Sequence, residues 1–219
     1  MKIAGYVFVI LIFAACNNKN TSVKSAAIID SLTDENIVDV SRDNPDLYLD
    51  NEKKFSDSSG LKITIQNSLP KGGPYYNPSG ALFGCVVFWS RFINESAKPI
   101  ELTINFPADS FMVFNSTDAY LKLLLPTDTM SLEKVGLYNY GATGLQTFLE
   151  SNMHEETGLN QIIQPSDDFI FYTAALCYKE GGVVRSGFEI VNCDVIFSIS
   201  ITPQFENFRV NCGKINFIE

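Results

Sequence analysis

Apolar and polar positions alternate along much of this chain. Leu61, Ile63 and Ile65 alternate with Lys62, Thr64 and Gln66, and Ile100, Leu102, Ile104 and Phe106 alternate with Glu101, Thr103 and Asn105. A period of two sets one face on a core and the other in water, so both stretches predict strands. Leu82 to Ile93 (LFGCVVFWSRFI) is apolar at nearly every position, which predicts a central strand covered on both sides. The polar run Asn94 to Pro99 then ends in a proline that blocks strand continuation, and reads as the turn of a long hairpin. Further strands are expected at Ala119 to Leu125, Phe169 to Tyr178, Val183 to Val191, Asp194 to Ile201, Phe208 to Asn211 and Lys214 to Ile218. Helical pattern is confined to the middle, where Thr143 can cap a helix carrying Leu145, Phe148 and Leu149 on one face, with a turn or two at Met130 to Val135. About eight strands without intervening helices predict a mainly all-β fold, an antiparallel β-sandwich with a short helical insertion.

The N-terminus follows another rule. Lys2 precedes an apolar run from Ile3 to Ala15, shorter than the roughly 20 residues of a membrane-crossing helix, and reads as a signal peptide. Phe13-Ala14-Ala15-Cys16 resembles the lipobox of bacterial lipoproteins, with Phe13 where leucine is usual. The resemblance implies cleavage before Cys16 and acylation (palmitate and related chains) of its thiol, a lasting membrane anchor. Asn17 stands where aspartate would imply retention in the inner membrane, and no acidic cluster follows the cysteine. The implied address is the outer membrane, facing the periplasm, with the cell surface as the alternative. The expected organisation is a signal peptide at 1–15, a lipidated N-terminus and acidic tether at 16–59, and a β-sandwich domain at 60–219.

Charge and composition narrow the partners. A net charge of −9 repels phosphate backbones, so no nucleic-acid partner is expected. With 46% hydrophobic residues, 17 of them Phe when counted across the chain, there is ample material for a core.

Two stretches, FWSRFINESAKPIELTINF and IIQPSDDFIFYTAALCY, resemble the strand-turn-strand and the late corner of immunoglobulin-like domains in secreted bacterial proteins. Besides Cys16 the cysteines are Cys85, Cys177, Cys193 and Cys212, which an oxidising compartment would bridge in one of three pairings. A tight turn at Thr202-Pro203 would bring Cys193 opposite Cys212. The immunoglobulin-like resemblance implies instead that Cys85 and Cys177 link the sheets, although Trp89 shares the strand of Cys85 and Ala175 replaces the tyrosine of the antibody pattern.

Candidate chemistry is sparse. His154 is the sole imidazole, with no G-x-S-x-G elbow beside it, and reads as a surface histidine at a helix end. Glu155-Glu156 and Asp167-Asp168 read as solvated acids rather than a glycosidase pair. Neither C-x-x-C nor an EF-hand loop is present, so no metal or cofactor is expected. Asp30-Ser31-Leu32 and Asp128-Thr129-Met130 resemble the acceptor triplet of a bacterial O-glycosylation system. The loop Pro70 to Gly80 carries Tyr75 and Tyr76, and Tyr138 and Tyr140 form a second aromatic pair; these four are the candidate contacts to a sugar or a protein partner. The expected function is therefore that of a non-enzymatic envelope lipoprotein, tethered to the membrane by its lipid, that binds or assembles with an envelope protein or glycan. A periplasmic hydrolase acting on glycan or peptide, and an accessory subunit of an envelope complex, are the alternatives.

Overall fold

The computed structural model describes residues 44–113, 119–178, 182–202 and 206–218. The signal stretch, Cys16, the tether as far as residue 43 and the triplet at Asp30 lie outside the described residues. A 3-10 turn at Pro45–Tyr48, capped by the Asn44 side chain accepting from the Asp46 N–H, leads into β1 (Leu49–Ser56), β2 (Lys62–Ser68), β3 (Lys71–Tyr76), β4 (Leu82–Asn94), β5 (Ile100–Phe106), β6 (Phe111–Met112) and β7 (Tyr120–Leu124). An excursion follows, with 3-10 turns at Leu132–Lys134 and Tyr138–Gly141 and the helix α1 (Leu145–Asn152). The chain then runs through β8 (Thr157–Ile163), β9 (Asp168–Tyr178), β10 (Val183–Val191), β11 (Asp194–Thr202) and β12 (Glu206–Phe217).

Among the described residues every strand pairing is antiparallel. One sheet has the order β1-β2-β4-β9-β7-β6, with β3 continuing the line of β2 along the same side of β4. The other has the order β10-β11-β12-β5-β8. The two sheets curl into a half-barrel around one apolar interior, built from Ile63 and Ile65 of β2, Phe88 and Phe92 of β4, and Phe171 of β9 on one side. Leu102 and Ile104 of β5, Phe188 of β10, Phe197 of β11 and Ile215 of β12 meet them from the other. Aromatic edges interlock there, with Phe188 lying 5.5 Å from Phe171 and 4.9 Å from Phe197 between ring centroids.

The double apolarity of β4 is explained by a third layer. Phe88 and Phe92 face the interior, while Cys85, Val87 and Trp89 face outward and are covered by Leu149 of α1 and by Met130, Val135 and Tyr140 of the excursion. A lysine fastens that cover: the Lys71 ammonium donates to Val135 O (2.6 Å) and Leu137 O (2.8 Å) and lies 4.0 Å and 4.3 Å from the Tyr48 and Tyr140 ring centres. Asn139 and Tyr140 take the left-handed backbone region, φ 46° and 56°, a conformation that costs on the order of 1–3 kcal/mol for each such residue. Tyr140 is held there because its ring is fully buried, its hydroxyl donates to Leu69 O, and its carbonyl accepts from the Tyr172 hydroxyl.

Several expectations are corrected. The Leu82–Phe106 segment is not a hairpin, since β4 and β5 belong to different sheets and the turn between them is an arch. Asn94 causes this: its buried carboxamide donates to Lys98 O and Ile163 O and accepts from Ser96 N–H, and its backbone pairs with Ser166 and Asp167 of the neighbouring β8–β9 arch. Residues 49–56, placed in the tether on composition, form β1 and pair with β2. The Pro70 to Gly80 loop contains β3. Cys212-Gly213 does not break the last strand but sits at a bulge in β12, where a Cβ on Gly213 would fall 1.8 Å from Thr103 O.

No disulfide joins the four cysteines of the domain. Cys85 faces outward beneath α1, whereas Cys177, opposite Gly84, is on the inward face, so the β4–β9 ladder holds their side chains apart. The β11–β12 ladder pairs Ile201 with Glu206 rather than turning about 202–203, and the bulge shifts it again. The Val191–Asp194 pairing leaves Cys193 in the two-residue turn between β10 and β11, with φ 67°, while Cys212 is opposite the Val195–Ile196 step, its thiol donating to Val195 O.

Candidate functional site

Where β10 meets the first sheet, side chains replace a backbone ladder. The Asn67 carboxamide accepts from the Phe188 N–H (2.9 Å) and donates to the Phe188 C=O (3.1 Å), acting as a missing peptide of a neighbouring strand. It also donates to Asn51 and accepts from Ser90. Gly187 makes room, since a Cβ there would stand 2.7 Å from the Asn67 amide. Arg185 pairs with Asp50 across the same seam at 3.1 Å.

Beyond this stitch the sheets part, and the residues facing inward explain the gap. Along β4 they run Phe92, Ser90, Phe88, Val86, Gly84, and opposite them on β9 Phe169, Phe171, Thr173, Ala175, Cys177, so that bulk falls away beyond Phe88 and Phe171. Side-chain volume shrinks toward one end of the half-barrel, leaving a cavity of about 350 Å³. Its walls are Gly84, Val86 and Cys177 on one sheet, Val184 and Ile201 on the other, and the start of β3 with its paired Gly72-Gly73. Val183 at the edge is exposed, and just outside lie the exposed cross-strand neighbours Tyr76 and Leu82.

Among the described residues the lining is mainly apolar. Lys71 borders the cavity, but its ammonium is turned away to Val135 O and Leu137 O, so only its methylenes reach the space. Burial pushes the Lys71 pKa down and raises the Cys85 thiol to about 11. Among the described residues no carboxylate or imidazole lines the cavity.

A second hollow of about 280 Å³, on the outer face of the second sheet, is polar, with Arg185, Arg209, Ser198, Ser200 and Asp50 around it. Its two arginines are paired, Arg185 with Asp50 and Arg209 with Glu189.

The four candidate tyrosines separate. Tyr75 is 8% exposed and packs under α1, and Tyr140 is 0% exposed within the excursion, so both serve packing. Tyr76 and Tyr138 are 61% and 77% exposed. Tyr76 projects on the cavity side of β3, whereas the Tyr138 hydroxyl is near Gly73 on the other. Sequence reasoning missed the cavity itself; its signal was the run of small residues at the inward positions Gly84, Ala175 and Cys177, which shows only once the strand partners are known.

The other candidates lie apart. His154, Glu155 and Glu156 are exposed after α1, and Asp168 pairs with Arg91 at the start of β9. Asp128 accepts from the Thr143 N–H and hydroxyl, tying the excursion together, and these bonds lower its pKa. Lys122 is 1% exposed, and its ammonium donates to Pro107 O, Ala108 O and Glu155 O, all at 2.7–2.8 Å. No group of three or more potential metal ligands occurs among the described residues. No helix among them is long and apolar enough to cross a membrane. No protein-family model matches the chain, and no curated protein matches it either.

Proposed function

We propose that this chain is an envelope lipoprotein, held in the outer membrane by acyl groups on Cys16, whose immunoglobulin-like β-sandwich acts as a non-enzymatic binding or assembly module. The lipobox-like FAAC supports the anchor, and two antiparallel sheets packed face to face through one core support the sandwich reading. The observation that carries the binding role is the mainly apolar cavity of about 350 Å³ between the two sheets, within the size range of small-ligand sites and, among the described residues, lined by no acid and by one base, Lys71, whose ammonium is engaged elsewhere. The hydrolase alternative requires His154 or a carboxylate pair converging on a cleft; His154 and the Glu155-Glu156 pair are instead exposed to solvent beyond α1.

Two experiments test the reading. Cys16→Ser is expected to move the protein from the membrane to the soluble fraction; sedimentation with vesicles as before would remove the anchor. Crosslinking in intact envelopes followed by purification of the chain is expected to capture a defined envelope partner, and to lose it when Tyr76→Ala and Leu82→Ala are combined at the cavity mouth. Equal capture by that double variant would detach the assembly role from this end of the molecule.

A further inference from the structure

Resting on the binding-module reading, we infer that the cavity between the two sheets holds the hydrocarbon chain of an amphiphile, with its polar head at the solvent side beside Tyr76 and Leu82. The shape follows from the strands. Inward residues dwindle from Phe88 to Gly84 on β4 and from Phe171 to Cys177 on β9, so the space lies where side-chain bulk is lost, next to the packed aromatic interior.

The chemistry points the same way. Among the described residues the lining offers a charged ligand no free counter-charge, since its one ammonium, Lys71, is committed to two carbonyls and two tyrosine rings. A sugar would leave its hydroxyls facing Val86, Val184 and Ile201. Methylenes ask nothing of these walls and gain from leaving water. The exposed Tyr76 and Leu82 form an apolar lip with a phenol for a polar neighbour, suited to the junction of tail and head.

The test uses the full chain purified in a fluorinated surfactant, whose tails mix poorly with hydrocarbon, and a dansyl-labelled undecanoate as probe. Saturable binding with rising dansyl emission is expected, displaced by straight-chain carboxylates. Affinity should rise about threefold to fourfold for each added methylene until the cavity is filled, and then level off. Gly84→Leu and Val184→Phe, each placing bulk inside the space, should weaken the probe by about tenfold or more while thermal melting is kept. A flat dependence on chain length, unaltered binding by both folded variants, or displacement by a valine-rich hexapeptide in preference to dodecanoate would overturn the inference. Failure here is distinct from failure of the assembly reading: chain-length-dependent binding with no partner captured from envelopes retires that reading alone, and a captured partner with no bound probe retires this one.

Discussion

At Asn67 one carboxamide does the work of a strand segment, and the consequences belong to single residues. Asn67→Ala would leave the Phe188 N–H and C=O without their partner inside the protein, and is expected to cost about 2–4 kcal/mol in urea denaturation. Gly187→Ala drives a methyl against the same amide. Its cost should shrink markedly in an Asn67→Ala background, a coupling that a double-mutant cycle reads directly. Lys122 makes a similar point with a charge. Its stem is as long as that of methionine, yet Lys122→Met should destabilise by about 2–4 kcal/mol, because three carbonyls lose their donor together. A neutral or stabilising result would mean that those carbonyls find water.

Among the elements, the excursion between β7 and β8 depends on β3 through Lys71. Lys71→Met removes two hydrogen bonds and the two ring contacts, so amide exchange is expected to accelerate over residues 126–156 with far less change in β5 and β12. Equal loss of protection everywhere would show instead that the cover and the sheets open as one unit. Most strands were legible: β2 and β5 lie where alternation places them, and β7, β9, β10 and β11 fall in stretches expected as strands, although the hairpin about Asn192-Cys193 was not foreseen. β1 was hidden because LDNEKKFS is an edge strand with almost no buried positions, so its composition matches that of a tether. β3 was hidden because Gly72, Gly73 and Pro74 weaken strand propensity, and an edge position tolerates them. The arch after β4 could not be told from a hairpin turn, since its direction depends on Asn94 reaching Ile163, far away in sequence.

At the scale of the whole molecule, buried weak acids tie stability to alkaline pH. Burial raises the thiols of Cys85 and Cys212 to about 11 and about 12, and the phenols of Tyr140 and Tyr172 to about 12. Unfolded, these groups would lose protons from their ordinary values of 9.0 and 10.0. Between roughly pH 9 and pH 12 the unfolded chain therefore binds fewer protons than the folded one, and stability falls as pH rises. The melting temperature should decline across that window, and a flat profile would mean these groups ionise without unfolding. The same burial orders thiol reactivity. Iodoacetamide at pH 8 should modify Cys193, at its partly exposed turn, well before Cys85 or Cys212. The candidate site was less legible than the fold, because a cavity is made by absent side chains, and only strand register shows that Gly84 stands beside Cys177.

Trp89, the sole tryptophan, is 1% exposed beneath the excursion, and its indole nitrogen meets no hydrogen-bond partner among the described residues. The molecule thereby contains its own optical gauge. With the cover seated, emission is expected to be blue and shielded from iodide; lifting the cover should redden it and admit the quencher, so the state of that one layer could be followed in the unlabelled protein.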